Sequence, residues 1–205
     1  MLDQKRYLFQ GLEKNIGKIF SYLPITPNQW TLISVLFGFA SFYFLMKQNL
    51  ILAIISIAIA AFADYINGII ARYRNIYTKI FTYLDTIADR YVDGLILLGM
   101  LFLPLPKILL PAYIWIFLIL FGSLVTAFAK AATKEKELVN QELKGGLITR
   151  SERIFLILIS LFLGLSDKSL VSMTYLLIFI TVLTNFTALQ RVYSAVKLNI
   201  NKTQL

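Results

Sequence analysis

Apolar residues in this chain are grouped into six long runs separated by short polar segments. The runs cover residues 29–46, 50–71, 80–103, 109–130, 152–166 and 169–190. Most of them are long enough to cross the hydrocarbon core of a bilayer as a helix. Because backbone polar groups in lipid need internal partners, each run is expected to be helical. The pattern predicts an all-α membrane protein, with a domain of six transmembrane helices over residues 25–205.

The first 24 residues have a different pattern, in which basic and apolar residues alternate. Their basic residues are Lys5, Arg6, Lys14 and Lys18. The segment is predicted to be a juxtamembrane amphipathic helix at the interface, with its basic face toward anionic lipid. An ordinary lead-in to the first span is the alternative. No signal peptide is evident in this region.

Lysine and arginine are distributed unequally among the connections between runs. Sixteen of the 20 lie at the N-terminus, in the second-to-third and fourth-to-fifth connections, and in the C-terminal tail. The other three connections have one lysine each: Lys47, Lys107 and Lys168. The positive-inside rule therefore predicts that both termini face the cytoplasm of an integral plasma-membrane protein. Topology accounts for the net charge of +9, so no nucleic-acid partner is predicted.

The composition restricts the possible chemistry. The chain has no cysteine and no histidine, although 58% of its residues are hydrophobic. This excludes thiol nucleophiles, imidazole bases and the usual zinc sites. A metal ion would have to be bound by oxygen atoms, which favours Mg²⁺, Mn²⁺ or Ca²⁺.

Polar residues recur at a spacing of four where the second and third runs face each other. Asp64, Gly68 and Arg72 form one series, and Asp85, Asp89 and Asp93 form the other. Each series lies on one helix face, and a short connection makes the two helices an antiparallel hairpin. The carboxylates are thus expected to meet. Because carboxylates at membrane depth are costly, we interpret them as a divalent-metal site that could also clamp a diphosphate.

Two other interpretations of these carboxylates remain open at this point. They could form structural ion pairs with Arg72, Arg74 and Arg90. They could also belong to the ion pathway of an ion-coupled carrier, since such pathways use intramembrane carboxylates.

The same stretch resembles the signature of the CDP-alcohol phosphotransferase (CDP-alcohol phosphatidyltransferase) family. That signature reads D-x-x-D-G-x-x-A-R, eight residues, then G-x-x-x-D-x-x-x-D. The chain matches it at Asp64, Gly68, Ala71, Arg72, Asp85 and Asp89. Thr-Pro-Asn at 26–28, the six spans and the length of about 200 residues are also similar to this family. Two positions depart from the signature, because Asn67 replaces its second aspartate and Phe81 its second glycine.

The resemblance implies a membrane enzyme of phospholipid biosynthesis. Such an enzyme moves a substituted phosphoryl group from a CDP-linked lipid to an alcohol and releases CMP. The implied cofactors are two Mg²⁺ or Mn²⁺ ions, and the implied ligands are Asp64, Asn67, Asp85 and Asp89. Asp89 would also be the general base. The implied CDP-side residues are Gly68, Ala71 and Arg72, and the implied assembly in the bilayer is a homodimer.

Basic residues after the fourth run resemble the family's acceptor-phosphate positions. They are Lys130, Arg150 and Arg153. The implied acceptor is a small polyol phosphate, with inositol phosphate ahead of glycerol phosphate. The chain has Ala132 where the family pattern often has arginine, and the positive-inside excess alone is the alternative explanation.

Asn67 bears on whether this chain is active. Its amide oxygen can ligate Mg²⁺ with one charge fewer, so weaker metal binding and a large loss of rate are expected. The chain would then be a divergent enzyme, a form with an introduced change, or a non-catalytic relative that binds CDP-lipid. Phe81 could crowd the nucleotide pocket or stack on a base.

Overall fold

The structure, a computed structural model, describes residues 10–74, 78–138 and 146–203. These residues form seven helices: α1 (Gln10–Ser21), α2 (Pro27–Met46), α3 (Leu50–Tyr73), α4 (Lys79–Met100), α5 (Ala112–Glu135), α6 (Arg150–Ser166) and α7 (Val171–Thr203). The chain divides into two compact units. One contains α1 to α4, and the other contains α5, α7 and most of α6.

Each predicted apolar run coincides with a helix, which confirms the all-helical class within the described ranges. Four helices, α2, α3, α5 and α7, are long and apolar enough to cross a membrane. Charged residues interrupt α4, and α6 has only 17 residues. Six crossings and an interfacial position for α1 therefore stay predictions. The last helix continues to Thr203, beyond residue 190, because no proline or glycine follows to end it.

Side-chain caps determine where several helices begin. Thr26 and Gln29 form a capping box, with Pro27 at the first position of α2. The Thr78 hydroxyl accepts a hydrogen bond from the Phe81 backbone N–H at 3.1 Å and starts α4. Ahead of α6, the Thr149 backbone N–H donates to Glu152 Oε2 at 2.7 Å. Each cap satisfies backbone groups that the first turn leaves without helical partners.

In the first unit, α2 packs against α3 and α4. The buried face of α2 contains the small residues Ser34, Gly38 and Ser41. Its exposed face contains large apolar residues, which are Leu32, Leu36, Phe39 and Tyr43. Small residues inside and large apolar residues outside are typical of helices that pack in lipid.

Helix α1 packs against α3. A Cβ atom at Gly17 would lie 3.1 Å from Tyr73 Cβ, so this glycine allows a close approach. Arg74 then donates from Nη2 to the Ser21 carbonyl at 2.6 Å, at the end of α1. The prediction of a helix here is confirmed over Gln10–Ser21, while residues 1–9 lie outside the described residues. These contacts attach α1 to the end of α3 that carries Arg72.

In the second unit, α5 packs against α7 through polar contacts as well as apolar ones. Asn185 Nδ2 donates to the carbonyls of Leu118 at 3.0 Å and Thr181 at 2.9 Å. The Ile148 backbone N–H donates to Thr187 Oγ1 at 3.2 Å. The second contact holds the segment that leads into α6 against α7.

Candidate metal and phosphate site

Three aspartates converge in the first unit. Asp64 lies in α3, whereas Asp85 and Asp89 lie one turn apart in α4. One carboxylate oxygen from each lies within 4.8 Å of the other two, and all three residues are half-buried. The convergence that the four-residue spacing predicts is therefore present in the structure.

Asn67 lies beside this group and is completely buried, with 0% of its surface exposed. Its Nδ2 donates to Asp85 Oδ1 at 2.7 Å and to Thr31 Oγ1 at 2.8 Å. An amide N–H satisfies a carboxylate oxygen, which explains this orientation of the side chain. Asn67 Oδ1 is also buried, and no described residue donates a hydrogen bond to it. The nitrogen rather than the oxygen thus faces Asp85, and metal ligation by Asn67 stays a prediction.

Thr31 on α2 is a member of this cluster that sequence reasoning missed. Its Oγ1 lies 3.5 Å from Asp85 Oδ1 and 3.3 Å from the Pro27 carbonyl oxygen. The only sequence signal for it is a hydroxyl one turn after the proline that begins the first span. Thr31 joins α2 to the aspartate-bearing helices.

Arg72 lies two turns along α3 from Asp64. Its guanidinium folds back toward Gly68. A Cβ atom built at Gly68 would be 3.5 Å from Arg72 Nη1. Arg72 Nη2 is 3.4 Å from Glu13 Oε2 on α1. Sequence reasoning missed Glu13, since its position depends on where α1 packs. Ala71, in contrast, is completely buried and packs in the interior.

The arginines considered as structural partners of the aspartates behave differently from one another. Arg72 and Arg74 contact α1, through Glu13 and the Ser21 carbonyl. Arg90 Nη2 is 3.8 Å from Asp89 Oδ2, and its Nη1 is 3.6 Å from the Oδ2 atom of buried Asp93. The Arg90 contacts match the ion-pair alternative, and they run along α4 itself.

Phe81 is 6% exposed and packs inside the protein at the first turn of α4. Stacking on a nucleotide base needs an accessible ring face, and this ring has almost none. Stacking would need the ring to become accessible, so both roles considered for Phe81, crowding the nucleotide pocket and stacking on a base, stay predictions.

The three predicted acceptor residues lie in the second unit. Lys130 is exposed near the end of α5, and Arg150 is half-buried at the start of α6. Arg153, one turn on, is only 3% exposed. Their binding roles stay predictions.

The donor set of the aspartate cluster suits a hard divalent cation. Oxygen ligands of one Mg²⁺ lie about 2.1 Å from the ion, so two of them are at most about 4.2 Å apart. The 4.8 Å limit around Asp64, Asp85 and Asp89 is slightly larger, so small side-chain movements would complete such a site. Asn67, buried beside them, adds a neutral amide whose Nδ2 faces Asp85. The residues present therefore fit Mg²⁺ or Mn²⁺.

Comparisons with known proteins agree with this description. A family model described as CDP-alcohol phosphatidyltransferase matches residues 24–189. The chain is 35% identical over 192 residues to archaetidylinositol phosphate synthase from Pyrococcus horikoshii, covering 92% of each protein.

The fold is similar to that of phosphatidylinositol phosphate synthase from Mycobacterium tuberculosis. Its crystal structure with manganese and citrate has a TM-score of 0.73 and 23% identity, covering 89% of this chain and 88% of that one. Its crystal structure with CDP-DAG bound has a TM-score of 0.73 and 20% identity, covering 89% and 92%.

Proposed function

Because this chain belongs to the CDP-alcohol phosphatidyltransferase family, we propose that it transfers a phosphatidyl-type group from a CDP-linked lipid to a polyol phosphate. The protein is an integral membrane protein of phospholipid biosynthesis, and CMP is the proposed leaving product. The observation that carries the proposal is the convergence of Asp64, Asp85 and Asp89 beside an arginine that faces a glycine.

Asp64, Asp85 and Asp89 would hold the divalent cations, with Asn67 as a neutral member of the set. When bound, Mg²⁺ or Mn²⁺ would neutralise the diphosphate charge that resists nucleophilic attack. Arg72 would bind phosphate oxygens of the donor through its planar guanidinium. Gly68 leaves the space beside that guanidinium free of a side chain.

Asp89 is the proposed general base. The acceptor hydroxyl would attack the lipid-side phosphorus while its proton passes to the Asp89 carboxylate. The bond from that phosphorus to the bridging oxygen would break, and CMP would leave with that oxygen. A second carboxylate on the same helix face, at Asp85, remains available to bind metal while Asp89 takes the proton.

Lys130, Arg150 and Arg153 are the proposed ligands of the acceptor phosphate. The similarity to archaetidylinositol phosphate synthase supports inositol phosphate ahead of glycerol phosphate. The proposal further includes six membrane crossings, α1 at the interface, both termini and the site at the cytoplasmic face of the plasma membrane, and a homodimer.

The test is CMP release from a CDP-linked lipid, with Mg²⁺ or Mn²⁺ and either inositol phosphate or glycerol phosphate. The unsubstituted chain, for which "natural chain" is the short name, and Asn67→Asp are assayed side by side, with Asp89→Asn as the inactive control. Release by either of the first two forms, and not by the control, supports the transferase. The acceptor that gives the faster release identifies the product.

A non-catalytic relative that binds CDP-lipid is the second candidate. It is favoured by Asn67, whose amide donates a hydrogen bond to Asp85, and by the buried ring of Phe81. In that case the natural chain and Asn67→Asp would both bind CMP in a calorimetric titration, and neither would release it from the lipid.

A further inference from the structure

Asn67 uses its amide in a way that an aspartate at this position could not. Its Nδ2 is 2.7 Å from Asp85 Oδ1 and 2.8 Å from Thr31 Oγ1, and the residue is 0% exposed. A carboxylate placed there would bring two negative charges to about hydrogen-bonding distance, one of them fully buried and the other, on Asp85, half-buried. Such a pair requires a bound cation or a shared proton. The amide requires neither.

The hydrogen bond also occupies part of the metal-binding capacity of Asp85. The oxygen that accepts from Asn67 is directed at an N–H group with a partial positive charge. With Asn67 neutral, the cluster has three carboxylates, Asp64, Asp85 and Asp89. One divalent cation would leave these carboxylates with a net charge of −1 and two would leave +1, so the N–H group already directed at Asp85 favours the smaller number. Four carboxylates would instead match two divalent cations.

We propose that Asn67 is a positioning residue that holds the Asp85 side chain in place when no metal is bound. In the absence of the CDP-linked lipid, the site should then bind one divalent cation fewer than the same site in the Asn67→Asp variant. The inference rests on the proposed function, because it assumes that the aspartates bind metal. It concerns the protein before the donor binds, since a diphosphate brings negative charge of its own. In this state the amide of Asn67 takes the place of the missing cation next to Asp85.

Two measurements on the full-length, detergent-purified protein test the proposal. The first is a Mn²⁺ titration without nucleotide, followed by the electron paramagnetic resonance signal of free Mn²⁺. The natural chain should bind about one ion fewer per chain than Asn67→Asp. The second is thermal unfolding in a chelator and in Mn²⁺. The midpoint of Asn67→Asp should fall by several degrees in the chelator and recover with Mn²⁺, whereas the natural chain should change less.

Asn185→Asp is a matched control in the second unit. Asn185 donates to two backbone carbonyls, so its replacement should destabilise the protein equally with and without Mn²⁺. A second variant covers the case in which Asn67→Asp does not fold. In the double variant Asn67→Asp, Asp85→Asn the donor and acceptor exchange positions, so it should unfold in the chelator within a few degrees of the natural chain.

Equal Mn²⁺ stoichiometry in the natural chain and Asn67→Asp overturns the inference and leaves the proposed metal site intact. An unfolding midpoint of Asn67→Asp in the chelator that equals that of the natural chain also overturns it. Absence of Mn²⁺ binding in both forms overturns the inference together with the metal-dependent part of the proposed function. The exchanged double variant overturns the positioning role if it is as unstable in the chelator as Asn67→Asp.

Discussion

Glu13 on α1 forms an ion pair with Arg72 on α3, with 3.4 Å between Glu13 Oε2 and Arg72 Nη2. The pair connects the N-terminal amphipathic helix to the arginine proposed to bind the donor's phosphates. The side chain of Arg72 is 34% exposed and that of Glu13 is 16% exposed. Ion pairs this accessible contribute about 0–1 kcal/mol to stability, so the pair matters more for the charge and position of Arg72 than for folding.

Glu13→Gln should therefore strengthen nucleotide binding without unfolding the protein. The change removes the Glu13 carboxylate, which competes with a phosphate ligand for the guanidinium of Arg72. We expect CMP to bind about two- to fivefold more tightly, in line with the loss of a competitor worth up to about 1 kcal/mol. Isothermal titration calorimetry with CMP measures this. Weaker binding by the variant would mean that Glu13 orients Arg72 rather than competing for it.

Arg72→Lys should impair use of the donor much more than it affects stability. Lysine keeps the charge but lacks the planar guanidinium that contacts two phosphate oxygens at once. We expect kcat/KM for the CDP-linked lipid to fall about 10- to 100-fold, which corresponds to about 1.4–2.7 kcal/mol. The measurement uses whichever of the natural chain and Asn67→Asp releases CMP faster as the parent.

Arg74→Lys is the control for Arg72→Lys, because Arg74 lies two residues further on, at the C-cap of α3. Arg74 donates to the carbonyls of Ser21 and Leu23 at the end of α1. Its replacement should loosen α1 and lower the unfolding temperature while leaving the KM for the donor unchanged. Equal losses of kcat/KM in the two variants would contradict a phosphate-binding role specific to Arg72.

The convergence of Asp64, Asp85 and Asp89 could be predicted from the sequence because it depends on local regularities. Four-residue spacing places residues on one helix face, and a short connection makes two consecutive helices antiparallel. The contacts of Asn67 could not be predicted in the same way. Its amide could point either atom toward the cluster, and the carboxylate of Asp85 on the neighbouring helix decides which one does.

The Glu13–Arg72 pair and the role of Thr31 also depend on tertiary packing. The sequence predicts that the N-terminal segment is an amphipathic helix, but not which helix it packs against. Gly17 allows α1 to approach Tyr73 closely, and this contact brings Glu13 to Arg72. The helices could be predicted from hydrophobic patterning, whereas the polar contacts between side chains of different helices could not.

Asp89→Asn should strongly lower kcat while leaving nucleotide binding in place. The amide cannot accept the proton of the acceptor hydroxyl, and general bases typically contribute a factor of about 10²–10⁴. We expect kcat to fall by that factor in the faster of the two parent forms. Calorimetry should still detect CMP binding, because Arg72 is unchanged. A variant that retains more than a tenth of the parent's kcat would exclude Asp89 as the base.

Arg153→Lys should raise the KM for the polyol phosphate about tenfold and leave the KM for the CDP-linked lipid unchanged. Arg153 is 3% exposed, so its guanidinium is held by its surroundings in a way that a lysine ammonium would not reproduce. Lys134→Gln is the control, because Lys134 is an exposed basic residue near the end of α5. If both variants raise the KM for the acceptor equally, general positive charge rather than Arg153 attracts the phosphate.

Close packing of α2 against α4 gives a prediction that does not depend on catalysis. A Cβ atom at Gly99 would lie 2.9 Å from Leu45 Cβ and 3.2 Å from Phe42 Cα, so Gly99→Ala must push the two helices apart. Overpacking of this kind costs about 1–3 kcal/mol, which should lower the unfolding temperature.

At Gly94, on the same helix, nothing lies within 4 Å of the corresponding atom. Gly94→Ala should therefore raise the unfolding temperature or leave it unchanged, because alanine favours helix by about 1 kcal/mol. Thermal unfolding in Mn²⁺-containing buffer separates the two variants, and an equal midpoint for both would contradict the close contact between α2 and α4.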